Sequence, residues 1–77
     1  MKLIWVTEAQ YLNDFKIKII FNDGITKIVN LEKHLDMPIF QSLKDKDFFK
    51  DFRLNPFTIE WKNGVDFAPE FLYNIEI

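Results

Sequence analysis

The chain contains no cysteine, two glycines, three prolines and one histidine among its 77 residues. Without cysteine there is neither a disulfide nor a thiolate metal site, so packing must hold the fold, and the absence fits a reducing compartment. A single histidine leaves one side chain to serve as a base near neutral pH and makes a histidine-rich metal set impossible. No apolar run approaches the roughly 18 residues that span a bilayer. The opening Met1-Lys2-Leu3-Ile4-Trp5-Val6-Thr7-Glu8 is too brief and too polar for the apolar region of a signal peptide. It reads as a first strand, and the expectation is a cytoplasmic protein with no membrane partner. Neither sign of charge dominates: ten Lys plus Arg stand against twelve Asp plus Glu, with a net charge of −2 and a pI near 5.2. The whole-domain field therefore mildly repels a phosphate backbone, which disfavours nucleic acid as a partner.

Aromatic side chains are what the sequence has in excess: nine Phe, two Trp and two Tyr. A domain of this size buries only about 60% of the surface its unfolded form exposes. Each large ring removes on the order of 150–250 Å² from water when buried, so rings are the expected source of stability. The length allows one domain over 1–77, and no linker, low-complexity tract or repeat divides it.

The clearest local pattern is Phe15-Lys16-Ile17-Lys18-Ile19-Ile20-Phe21 followed by Asn22-Asp23-Gly24. Phe15, Ile17, Ile19 and Phe21 alternate onto one face, leaving Lys16, Lys18 and Ile20 on the other. A two-residue Asp23-Gly24 loop would waste Ile25, Val29 and Leu31 on the wet side. A three-residue Asn22-Asp23-Gly24 loop with Gly24 left-handed pairs Phe21 with Ile25 and brings Ile25, Lys27, Val29 and Leu31 to the core side, with Lys27 alone misplaced. The three-residue loop is preferred. Upstream, Leu3-Ile4-Trp5-Val6 is β-rich and Asn13-Asp14 turns the chain.

After Leu31 the pattern changes. Glu32 to Pro38 reads as at most one helical turn and a loop, and Pro38 to Leu43 as a short helical turn with Pro at its permissive first position. Asp45 is expected to cap a helix carrying Phe48, Phe49 and Phe52 on one side. Phe52-Arg53-Leu54 leads into a brief strand and Asn55-Pro56 turns the chain; Phe57, Ile59 and Trp61 then alternate, Lys62-Asn63-Gly64 repeats the earlier turn chemistry, and Pro69 opens a terminal helical turn. The fold class is α+β: an antiparallel meander with strands near 3–12, 15–22 and 25–31, short helices in the middle, a C-terminal strand pair near 57–67, and a short terminal helix. Gly24 and Gly64 are its turn-forming residues.

Phe21-Asn22-Asp23-Gly24, Val29-Asn30-Leu31, Phe40 and Leu43 ahead of Phe48, then Ile59-Glu60-Trp61-Lys62-Asn63-Gly64-Val65-Asp66 and Pro69-Glu70-Phe71-Leu72-Tyr73, together resemble a family of short bacterial proteins, domain of unknown function 2442. The Trp-x-x-Gly-x-Asp-x-x-Pro-Glu-x-Leu-Tyr ending from Trp61 to Tyr73 is the most specific part. The resemblance implies a small α+β protein, often encoded beside another short protein in an arrangement similar to a toxin and antitoxin pair. It brings no catalytic residue. Gly24, Trp61, Gly64, Asp66, Pro69 and Tyr73 match recurring positions that turn geometry, packing and capping explain.

Four constellations bear on function. Glu32, His34 and Asp36 would share one side of an extended segment and could face a divalent metal; a solvated loop before Pro38 is the preferred reading. Ser42 with His34 as base lacks a sharp strand-to-helix turn and surrounding glycines, so no nucleophile is assigned. Asp45, Asp47 and Asp51, and Glu60, Asp66 and Glu70, show no pattern of desolvation that would make a general acid. Asp45 is read as a cap and Asp66 as a cap or turn residue. Lys16 and Lys18, with Lys27 on the opposite face, make a weak basic strip that with Trp61 and Tyr73 would grip single strands; guarding a strand face is the simpler role.

The surplus aromatics remain. Phe57, Trp61, Phe67, Phe71 and Tyr73 form a late group that is either core or an exposed patch, and such patches mark partner sites. The expectation is no enzyme and no cofactor, and a protein-interaction module that uses Trp61, Phe57, Phe71 and Tyr73. Its partner is expected to be a small co-encoded protein, with a homodimer left open. The alternative is a nucleic-acid-associated accessory protein acting through Lys16 and Lys18.

Overall fold

Ile17, Ile19 and Phe21 form the inward side of a central strand, and each is buried. The computed structural model describes residues 3–75. Three strands, β1 (Val6–Asn13), β2 (Lys16–Phe21) and β3 (Thr26–Asn30), make an antiparallel sheet in the order β1-β2-β3. Two 3-10 segments follow, Glu32–His34 and Pro38–Lys44, and then a single helical turn, α1 (Lys46–Phe49). A second small sheet pairs β4 (Arg53–Leu54) with β5 (Ile59–Glu60), and α2 (Pro69–Asn74) closes the described chain. This is the α+β meander with central short helices that the sequence pattern implies.

The first hairpin has the three-residue loop. Phe21 N–H donates to Ile25 O at 3.0 Å, Gly24 N–H to Phe21 O at 2.9 Å, and Gly24 has φ +86°. From there the register runs Ile19 opposite Lys27 and Ile17 opposite Val29. Val29 and Leu31 are fully buried, whereas Ile25, at the tip, is about half exposed. Lys27 has a reason to face inward: its Nζ donates to the Tyr73 carbonyl at 2.7 Å, at the C-terminal end of α2. Its aliphatic stem runs along the core while the ammonium meets the helix end that favours a cation.

Strand β1 starts at Val6 rather than near residue 3. The Asn22 side chain ties the preceding segment instead, Oδ1 accepting from Trp5 N–H and Nδ2 donating to Leu3 O, each at 2.9 Å. A register shift between Val6 and Glu8 is a bulge that places Ala9 and Tyr11, rather than Glu8 and Gln10, across from Ile19 and Ile17.

The late strands differ in partner from the pair expected near 57–67. The turn forms, with Trp61 N–H on Val65 O and Gly64 N–H on Trp61 O, both at 2.9 Å, but only one bridge, Glu60 to Asp66, extends it. The ladder partner of β5 is β4. The cause is Asn55, whose Oδ1 accepts from Phe57 N–H and Thr58 N–H at 2.8 and 2.7 Å. Its own N–H donates to Thr58 O, which folds 53–54 back onto 59–60.

Asp45 caps α1 as expected, its Oδ1 accepting from Asp47 N–H at 3.0 Å. Pro38 and Pro69 open their segments at the first helical position. Asp66 is not a cap: Ala68 holds the N-cap position of α2, which has no side-chain cap bond. Phe49, Trp61, Leu43, Leu72 and the inward residues of β2 share one buried cluster.

Candidate functional site

The late aromatic group divides. Trp61 is 1% exposed and packs against Phe49, Phe52 and Phe67, and its Nε1–H donates to the Phe49 carbonyl at 2.7 Å. Phe49 ends α1, so its carbonyl has no partner within the helix, and the indole supplies one. Trp61 is therefore corrected from a partner-binding residue to a core one. Tyr73 is half-buried, its ring edge against Phe21 and its hydroxyl donating to Asp23 Oδ2 at 2.7 Å, an arrangement that raises its pKa chiefly through that bond. Phe57 and Phe71 do reach the surface, at 66% and 37% exposure.

The first turn of α2 separates two apolar grooves. On one side Leu3, Trp5, Pro56, Phe57 and Pro69 line a space of about 430 Å³. Its walls are fixed: Asn22 holds 3–5, and Val6 N–H donates to Phe57 O at 2.8 Å. On the other side a space of about 470 Å³ lies between the 3-10 segments and the start of α2, lined by His34, Met37, Phe40, Phe67 and Phe71 with Lys33, Asp36 and Asp66 at its rim. Phe67 stacks on Phe40 at 4.7 Å and on Phe71 at 5.6 Å, and the His34 ring meets Phe71 edge-on at 5.1 Å.

That geometry packs the His34 ring against Phe71. Glu32–His34 is a 3-10 turn, so the alternation that would have aligned Glu32, His34 and Asp36 on an extended strand does not occur. Among the described residues no group of three or more His, Asp or Glu is placed to hold a metal. Ser42 is exposed on its 3-10 helix and makes no side-chain hydrogen bond to His34. Asp47 and Asp51 are exposed and pair with Lys50 and Lys62. Glu60 pairs with Arg53.

Lys16 and Lys18 lie on the outer side of β2, half-buried, while Lys27 is drawn to the opposite face by Tyr73. The basic strip thus has two members. Sequence reasoning missed Leu3, Trp5, Met37 and Phe40 as groove-lining residues. The available signal was Met37 next to Pro38, an apolar residue at a position where the chain leaves one turn and enters another.

A family model described as a protein of unknown function, DUF2442, matches residues 6–77. The chain belongs to that family. No curated protein and no solved structure matches it. The range matched by DUF2442 takes in the Trp61 to Tyr73 ending, whose residues have structural places: Trp61 is a core ring and Gly64 a turn with φ +84°. Pro69 is a helix opener and Tyr73 a strut between α2 and the first hairpin. No helix among the described residues is long and apolar enough to cross a membrane.

Proposed function

We propose that this DUF2442 protein is a non-enzymatic protein-interaction module whose partner is a small co-encoded protein, in an antitoxin-like arrangement. The observation that carries the reading is the display of large apolar side chains around α2: Leu3, Trp5 and Phe57 in one groove, Met37 and Phe71 in the other. Apolar surface on this scale, on elements held by backbone and side-chain hydrogen bonds, suits docking of another protein. Asp23 and Asp45 are spent on a turn and a cap and Asp14, Asp47 and Asp51 on exposed ion pairs, which supports a binding role over a catalytic one.

Co-expression with the neighbouring gene's product tests it. The expected result is a complex that survives size-exclusion chromatography and is weakened by Phe57→Ser or Phe71→Ser, with Lys16→Ala/Lys18→Ala without effect. A chain that captures nothing from that product overturns the reading. Binding of a single-stranded oligonucleotide that collapses with added salt and is lost in Lys16→Ala/Lys18→Ala would replace it with the nucleic-acid alternative.

A further inference from the structure

We propose that the groove between the 3-10 segments and α2 receives a basic and apolar segment of a partner protein. The apolar residue of that segment covers Met37 and Phe71, and the basic residue beside it meets Asp36 and Asp66. This rests on the interaction reading and gives it a site.

Three features converge. The floor is a row of nearly parallel rings, with interplanar angles of 10° between Phe40 and Phe67 and 15° between Phe67 and Phe71. Because these rings stack on one another, Phe67 turns an edge rather than a face to the groove, and the floor is an apolar surface suited to a bulky apolar side chain. Each wall then contributes one carboxylate, Asp36 from the loop between the 3-10 segments and Asp66 from the connection between β5 and α2. Neither has an ion-pair partner among the described residues, whereas Asp14, Asp47, Asp51 and Glu60 each have a lysine or arginine. Finally, exposed Met37 gives the wall an unbranched, adaptable side chain of the kind that accommodates partner residues.

The rim charges select among occupants. Lys33 is the cation there and pairs with neither acid, so two carboxylates against one ammonium leave the rim net negative. An acidic peptide or a phosphate would be repelled. A purely apolar segment would cover Asp36 and Asp66 without giving them a partner, at a desolvation cost. A basic residue beside a bulky apolar one satisfies rim and floor together, and arginine does so best because its planar head pairs with carboxylates in a fork.

The test is selection from a random peptide library displayed on phage, panned against the full chain, followed by titration of the enriched peptides. Enriched sequences should carry Arg or Lys next to Leu, Phe or Trp, and should shift amide resonances of residues 33–37 and 66–71. Asp36→Asn/Asp66→Asn should weaken them by about tenfold or more and flatten the salt dependence. Both acids are exposed and unpaired within the described residues, so that variant should melt with the parent, and lost binding reads as lost contact. No enrichment, enrichment of acidic or wholly apolar sequences, shifts confined to residues 3–5 and 57, or full affinity in the double variant would each overturn the proposal. A complex with the co-encoded protein that is indifferent to Asp36→Asn/Asp66→Asn would keep the interaction reading and sink this site alone.

Discussion

At residues 21–25 and again at 61–65 the chain makes the same turn. Phe21 and Trp61 each accept from a glycine N–H at 2.9 Å and donate to the residue four positions on, and Gly24 and Gly64 have φ +86° and +84°. In both, the acid or amide before the glycine, Asp23 or Asn63, accepts from the N–H of the residue after it. The settings differ. The first turn joins strands of six and five residues whose ladder holds it, while the second follows a strand of two residues and continues into a single bridge. What holds the second region is side-chain chemistry: Trp61 Nε1 on Phe49 O, Thr58 Oγ1 on Phe67 O, and Asn55 Oδ1 on two backbone N–H groups. A ladder spreads its stability over many equivalent bonds, whereas a set of single side-chain bonds concentrates it.

The largest expected effect follows from that concentration. Trp61→Ala should cost about 3–5 kcal/mol, the range for deleting a buried large ring. Trp61→Phe keeps a ring but strands the Phe49 carbonyl, for about 1–3 kcal/mol. Urea unfolding measures both, and a Trp61→Phe variant as stable as the parent would dissolve the contrast between the two regions. Thr58→Val is the same test at the scale of one hydroxyl. Thr58 is buried and its Oγ1–H donates to Phe67 O at 2.7 Å, so an isosteric replacement should lose about 1–3 kcal/mol.

The glycines sharpen the comparison. Neither Gly24 nor Gly64 has a heavy atom within 4 Å of where a Cβ would stand, so alanine at either position is penalised by backbone conformation alone. Each substitution should cost about 1 kcal/mol or more. Equal losses would show that the turn is one device used twice. A silent Gly64→Ala would mean that the second turn relaxes because so little ladder follows it.

The first region was the more legible in the sequence, for a physical reason. Period-two alternation from Phe15 to Phe21 and the register count around Gly24 involve residues close in the chain, and they identify β2, the loop and the inward face of β3. The position of Lys27 looked like an error of pattern because its explanation, the Tyr73 carbonyl, is 46 residues away. The bulge near Thr7 and the amide of Asn22 that ties Leu3 and Trp5 are likewise tertiary facts with no local signature. In the second region the brief strand at Arg53-Leu54 and the turn at Asn55-Pro56 were legible, but the pairing of that strand with β5 rests on the Asn55 side chain, and no alternation from Phe57 to Phe67 announces it. Of the site, Phe57 and Phe71 were legible as surplus aromatics, while the burial of Trp61 depended on a helix end elsewhere in the chain. The groove itself is formed by segments 33–40 and 66–71, which only the fold brings together.

The smallest expected effect concerns the strut between the two regions. Tyr73 donates to Asp23, and that bond, then partial burial, then the Asp23 charge all favour the neutral phenol, raising its pKa. A raised value means that the folded state holds its proton to higher pH than the unfolded chain does. The stabilisation is therefore complete below the ordinary tyrosine value of about 10 and is lost as pH climbs through the folded value. Lys46 works in the same direction, its pKa raised first by the hydrogen bond to Asp14 and then by the charge, so it also contributes stability that alkali removes. Salt separates the two, since the exposed Lys46–Asp14 pair is screened and the phenol bond much less so. In high salt, the fall in melting temperature across the alkaline range should be shallower for Tyr73→Phe than for the parent. Parallel curves would mean that α2 is held to the first hairpin by Lys27 and the Phe21 ring contact without help from the phenol.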